Sequence, residues 1–218
     1  MRLFLSFIAL FGMALNISAL DIPEIFGNDM ILQRNTQCKI WGWAEANHYV
    51  RIVTGWDNHC YQVKAGSDGA WKVEVKTPEA SYKTYDITFT EYRSDPEKKA
   101  KGNKPIATSV SKDVLIGEVW FCSGQSNMEM PLGGFWNCPV EGANETILES
   151  KKYNSSIRVA TIAKDGKQEP QKKVAGKWEK AEPKNASRFS ACAYYFATTL
   201  TDALDVPVGV INCSWGGS

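Results

Sequence analysis

From Asp21 to about Thr108 the chain alternates apolar and polar residues with a period of two. Trp71, Val73 and Val75 alternate with Lys72, Glu74 and Lys76, and Tyr85, Ile87 and Phe89 alternate with Asp86, Thr88 and Thr90. This pattern marks antiparallel strands with one face buried and the other in water. Further strands are predicted at 39–44, 49–56 and 61–65, with Gly66-Ser67-Asp68-Gly69 as a hairpin turn ahead of Trp71. The charged, Pro/Gly-punctuated stretch 94–105 reads as the tip of a hairpin joining 85–92 to 107–110, its lysines protecting a strand edge. Residues 21–112 are expected to form a small antiparallel β-sandwich.

After Asp113 the rhythm changes. Val114 to Cys122 is a short, β-branched and aromatic run that stops at Ser123-Gly124-Gln125-Ser126-Asn127, the mark of a buried strand. Gly133 to Pro139 is irregular, Ala143 to Lys152 can be helical, and Ile157 to Ala163 is a further strand candidate. Gln168 to Pro183 is polar and expected to wrap the surface, anchored by Trp178. Ala193, Phe196, Ala197, Leu200 and Leu204 have helical spacing, with Ser187 or Ser190 as N-cap and Pro207 as stop. Val208 to Ser218 reads as a buried strand entering a glycine-rich loop. Strand, helix, strand is the grammar of a doubly wound α/β domain, expected over 113–218. With so few strands that domain would leave edges and faces uncovered, so it is expected to be incomplete.

Composition narrows the partners. The 218 residues are 44% hydrophobic with a net charge of +1, which lacks the basic footprint of a nucleic-acid binder and the polybasic attraction of a membrane-surface protein. Residues 1–20 have a positive start, an apolar run from Leu3 to Leu15 and small residues at Ser18 and Ala19, the pattern of a signal peptide. A secreted or periplasmic location is expected. Six cysteines follow, without metal-ligand spacing; Cys38 with Cys60 is the candidate disulfide, and Cys122 fits a buried free thiol. Sequons occur at Asn144, Asn154, Asn185 and Asn212, the last in an apparent buried strand.

Two serines, Ser126 and Ser214, follow buried strands, where open α/β sheets place their chemistry. Acyl transfer needs a nucleophilic oxygen, a base, and N–H donors aimed at the developing oxyanion. Ser126 is the candidate nucleophile, in a turn whose amides can face a carbonyl, and Gly216-Gly217 offers a second backbone that can approach closely. Met128 stands where the α/β-hydrolase nucleophile elbow requires glycine, so this is not that motif. Gln125 and Asn127 could orient substrate or satisfy local amides. Of eight tryptophans, Trp71 and Trp120 read as core, whereas Trp136 and Trp215 flank the two loops and could stack on sugar faces. Glu129 reads as a solvated or helix-start carboxylate.

Gly124-Gln-Ser-Asn-Met128 resembles the first block of the SGNH-type carbohydrate esterases, and Gly117 to Pro131 in full resembles the sialate O-acetylesterases among them. Phe26 to Gln33 and Ile40-Trp-Gly42 are similar to the start of that family's β-domain, and Pro207 to Ser218 to its second block. The resemblance implies an α/β esterase without metal or cofactor that removes O-acetyl groups from sialic acids or another acetylated glycan, such as xylan. It makes Ser126 the nucleophile and an oxyanion donor through its own N–H, with a glycine of the Gly216-Gly217 pair as second donor. The family's base lies in a late Asp-x-x-His block, whereas the two histidines here, His48 and His59, lie upstream. The chain is therefore expected to lack its Asp/His, to be the first part of a longer esterase domain, and to show little hydrolysis alone. A non-catalytic carbohydrate-binding protein is the alternative.

Overall fold

A computed structural model describes residues 20–98 and 103–217; the signal-peptide reading of residues 1–20 lies almost wholly outside the described residues. Among the described residues ten strands form, β1 (Ile31–Gln33), β2 (Gln37–Trp43), β3 (Tyr49–Thr54), β4 (Cys60–Lys64), β5 (Ala70–Lys76), β6 (Ser81–Tyr92), β7 (Pro105–Gly124), β8 (Ile157–Thr161), β9 (Trp178–Lys180) and β10 (Val208–Ser214). The α-helices are α1 (Ser126–Glu129), α2 (Ala143–Glu149), α3 (Pro183–Ala186) and α4 (Ala191–Leu204). The fold is mixed α/β around one large sheet in the order β4-β3-β6-β7-β10-β8-β9, with β1 also on β7 and a separate pair, β2-β5.

The period-two reading places its strands well. Trp71 and Val75 of β5 and Ile87 and Phe89 of β6 are buried, while Lys72, Glu74 and Lys76 face water. The β2-β5 pair contributes Ile40, Trp71 and Val75 to the same apolar cluster as Val50, Ile52, Ile87 and Phe89 of the large sheet. The turn at Gly66–Gly69 forms, with the Gly66 N–H donating to the Ala70 carbonyl at 2.9 Å. It is not a hairpin between paired strands, because β4 pairs with β3 and β5 with β2. The hairpin of β6 and β7 forms, with Tyr92 opposite Pro105.

The main difference from expectation is the continuity of β7. The chain does not stop and restart at Asp113; one strand runs antiparallel to β6 in its first part, then parallel to β1 at Leu115–Gly117 and to β10 from Glu118 to Gly124. The register against β6 shifts between Tyr85/Val114 and Ile87/Ser111, leaving an extra residue in β7, and Asp113 there takes φ +57°. A bulge of this kind bends and re-aims a strand without ending it. The side-chain rhythm breaks while the backbone ladder continues.

Helix α4 covers the face of β10 and β8 that carries Ile157, Val159, Val208 and Val210. Its N-cap is Ser190, whose hydroxyl accepts the Ala193 N–H at 3.2 Å. Ala193 and Ala197 of the expected stripe are buried, but Phe196 and Leu204 are exposed, and Tyr194 and Thr201 complete the buried face instead. Trp178 anchors the 168–183 stretch as expected, buried in β9 with its indole N–H on the Ile25 carbonyl. Cys38 and Cys60 are not bonded; all six cysteines are free. Cys38 lies on β2 and Cys60 on β4, strands of different sheets, and the Cys60 sulfur accepts from Arg51 at 2.8 Å.

Candidate active site

Parallel pairing puts the C-terminal ends of β7 and β10 side by side, with Ser214 opposite Gly124. The loops leaving these ends are therefore neighbours, and the Trp215 N–H donates to the Gly124 carbonyl at 2.9 Å. β8 lies on the other side of β10, so the segment after Thr161 enters the same region. Loops at the C-terminal ends of adjacent parallel strands are the usual place for a site in such a sheet.

Gly124 leaves β7 at φ +153°, and Ser126 opens the single turn α1. The turn is held by the Glu129 N–H on the Gln125 carbonyl and the Met130 N–H on the Ser126 carbonyl, both 2.9 Å. Met128 packs into the second apolar cluster and accepts from the Ser190 hydroxyl through its sulfur at 3.4 Å. The Cys192 thiol donates to the Asn127 carbonyl at 3.3 Å, and Leu132, fully buried, is tied to Phe189. Ser126 thus stands exposed on a turn whose opposite side is fixed to α4.

Gly216 meets Ser126 closely. A methyl group added to Gly216 would lie 3.4 Å from Ser126 Oγ and 2.5 Å from Glu129 Oε2. The tight approach is to the Glu129 carboxylate, which a side chain at 216 would displace. Gly217, at φ +80°, has open space around the same position. Of the glycine pair, Gly216 is the one against the serine. Gln125 and Asn127 are exposed beside Ser126, and Trp215, half exposed, lines a cavity of about 460 Å³ with Lys164, Cys213 and Ser214. Trp136 is fully exposed on the irregular 133–139 stretch. Trp120 is not core: it is 44% exposed and meets Phe196 edge-on at 5.1 Å.

Glu129 does more than a solvated carboxylate would. It accepts the Gly216 N–H and the Lys164 ammonium. The Lys164 bond first, and the Gly216 bond second, hold its carboxyl below the ordinary range. Lys164 Nζ also lies 5.9 Å from the Trp215 ring centroid. Sequence reasoning passed over Lys164 because it sits in polar surface sequence; the signal available was its place just past the end of β8.

Neither histidine reaches this site. His48 Nδ1 is 2.6 Å from the buried Glu91 carboxylate, and Glu91 pairs with Ala107 near the start of β7. His59 meets the ring of Tyr61 in β4 edge-on, with centroids 4.4 Å apart. At about 3.3 Å per residue of strand, both are tens of ångströms from the far end of β7. Among the described residues, no group of three or more His, Cys, Asp or Glu side chains could hold a metal ion.

The site thus holds an exposed serine on a strand-end turn, with the flank of Gly216 beside its hydroxyl and the Gly216 N–H on Glu129. No protein-family model matches the chain. It is 34% identical over 209 residues to sialate O-acetylesterase of Pongo abelii and 28% identical over 206 residues to the human protein, each match covering 88% of this chain. A solved carbohydrate acetylesterase from Xanthomonas citri superposes with a TM-score of 0.77 at 28% identity over 91% of this chain and 41% of that one. The chain is a relative of the sialate O-acetylesterases, and it spans 36% of the length of these two curated relatives.

Proposed function

We propose that the chain carries the nucleophilic half of a serine esterase acting on O-acetylated sialic acids. The observation that supports this most is the approach of the Gly216 backbone to Ser126 Oγ across the paired ends of β10 and β7. In this reading Ser126 Oγ attacks the acetyl carbonyl, and the oxyanion accepts N–H bonds from Ser126 and from a glycine of the Gly216-Gly217 pair. The sugar hydroxyl leaves, and water then cleaves the acetyl-enzyme to acetate. Gln125, Asn127 and Trp215 border the position of the sugar.

The proton of Ser126 goes to a base outside the described residues, in a further segment with the Asp-x-x-His pattern that completes the sheet and the site. Residues 21–112 are then a β-sandwich domain and 113–218 an incomplete doubly wound one, in a secreted or periplasmic protein. The 218-residue chain alone hydrolyses little. A second reading, a glycan-binding chain without catalysis, draws on the distance of both histidines from Ser126. Acetylated xylan is the alternative substrate.

A serine-directed fluorophosphonate probe decides between esterase and binder. It is applied to the 218-residue chain and to the longest polypeptide its reading frame encodes. Labelling of the longer polypeptide that disappears in Ser126→Ala supports the esterase. No labelling of a polypeptide that carries a late Asp-x-x-His overturns it.

A further inference from the structure

The strand ends that meet at Ser126 also bring together an acid and a base that the acyl-transfer reading leaves unused. The Glu129 carboxylate receives two donors at once, the backbone N–H of Gly216 and the ammonium of Lys164. These come from two loops, after β10 and after β8, and Glu129 is the last residue of α1, after β7. The aromatic face of Trp215 lies beside the ammonium, and Lys164 and Trp215 both line the cavity that opens from this point. One backbone N–H and one cation converging on the same carboxylate is a charge-assisted carboxylate seat. The flank of Gly216 that faces Glu129 also faces Ser126 Oγ, so the seat adjoins the nucleophile.

What now fills the seat is loosely held. Glu129 and Lys164 are 25% and 43% exposed, and ion pairs in contact with water contribute little net stability. A carboxylate arriving through the cavity would find the same two donors, and Glu129 could turn out to water.

We propose that Lys164 and the Gly216 N–H form a carboxylate-binding seat beside Ser126, filled by Glu129 in the free protein and taken over by the carboxylate of a ligand. The seat's relevance to turnover rests on the acyl-transfer reading; its existence does not. Two ligands share the chemistry, the acetate released by deacetylation and the carboxylate of an acidic sugar.

The 218-residue chain, labelled with nitrogen-15, is titrated with sodium acetate, with N-acetylneuraminate, and with neutral N-acetylmannosamine, while the Gly216 amide and Trp215 indole resonances are followed. In Glu129→Gln both carboxylates are expected to shift these resonances saturably, with a Kd several-fold lower than in the unaltered chain. Lys164→Met is expected to abolish the response, and the neutral sugar to give none. Saturation at lower concentration by acetate assigns the seat to the product, and by N-acetylneuraminate to the acidic sugar. Carboxylates that leave Gly216 unmoved in Glu129→Gln, or that bind Lys164→Met as well as the unaltered chain, overturn the proposal. The spectrum itself reports folding of each variant. Because Ser126 labelling takes no part in this titration, failure here and failure of the esterase reading are separate outcomes.

Discussion

Asp113 shows how one residue can redirect a strand and also hold a charge. At φ +57° it forms the bulge in β7, and its carboxylate accepts the Lys180 ammonium and lies 3.4 Å from the buried Arg158 guanidinium. Burial raises its carboxyl pKa, but Lys180 and Arg158 together outweigh this and leave it below the ordinary value of 3.8. A depressed carboxyl contributes stability that is complete above the ordinary carboxylate range and lost as pH falls through the lowered value. Asn tolerates a positive φ, so Asp113→Asn removes the charge with little backbone cost. It is expected to lower unfolding free energy at neutral pH by about 1–2 kcal/mol, the cost of unpairing a buried guanidinium reduced by the partial exposure of Asp113. It should also flatten the acid limb of stability against pH, and urea titrations between about pH 5 and 2 would show both effects. The same scale sets what could be read in the candidate site. Ser126 was legible because a turn after an apolar run needs no tertiary knowledge, whereas the bond from Glu129 to Lys164 joins residues that only the β7-β10-β8 order brings together.

At the scale of elements, period two located most of the strands, yet it could not say which strands pair. The turn at Gly66–Gly69 has hairpin chemistry but joins strands of different sheets, since β5 completes its ladder with β2. Helical spacing likewise admitted Phe196 and Leu204 to the buried face of α4, because alanines at 193 and 197 mark that face too weakly to fix its rotation. Two substitutions test the packing that aligns the site. A methyl group on Gly117 of β7 would lie 2.0 Å from the Pro207 carbonyl oxygen ahead of β10, and that oxygen already accepts the Glu118 N–H. Gly117→Ala is expected to destabilise the chain by about 1–3 kcal/mol, as overpacking against backbone does. Ser190→Ala removes the cap of α4 and the hydroxyl that reaches Met128 in α1. About 1 kcal/mol should be lost. Thermal unfolding of each variant checks these values, and an unchanged Gly117→Ala would mean that β7 and β10 are not in this register.

For the whole molecule, the sheet has a side left open next to its candidate chemistry. In the parallel half of β7 the even-numbered residues turn their backbone groups to β10, as the Glu118 N–H on Pro207 and the Gly124 carbonyl under Trp215 show. The odd-numbered ones turn to the other edge, where Leu115 and Gly117 bond with β1 and its continuation at Arg34. β1 ends at Gln33, whose side chain accepts the Val119 N–H at 2.8 Å. Beyond that point Phe121 and Ser123 have no strand on this edge among the described residues, and Phe121 is 66% exposed. An unpaired edge carrying a large apolar side chain is a place where more sheet can be added. This chain spans 36% of the length of the human and Pongo abelii relatives, so the occupant we expect is the rest of such a polypeptide. Sequence patterning could name Val114–Cys122 as a strand, but it could not show which of its edges lacks a neighbour, because edge pairing is a property of the assembled sheet. Backbone hydrogen exchange at Phe121 and Ser123 should be fast in the 218-residue chain and slower by orders of magnitude in a longer polypeptide, whereas exchange at Trp120 and Cys122, already paired with β10, should be slow in both. Equal exchange of Phe121 in the two proteins would mean that a longer polypeptide does not extend this edge.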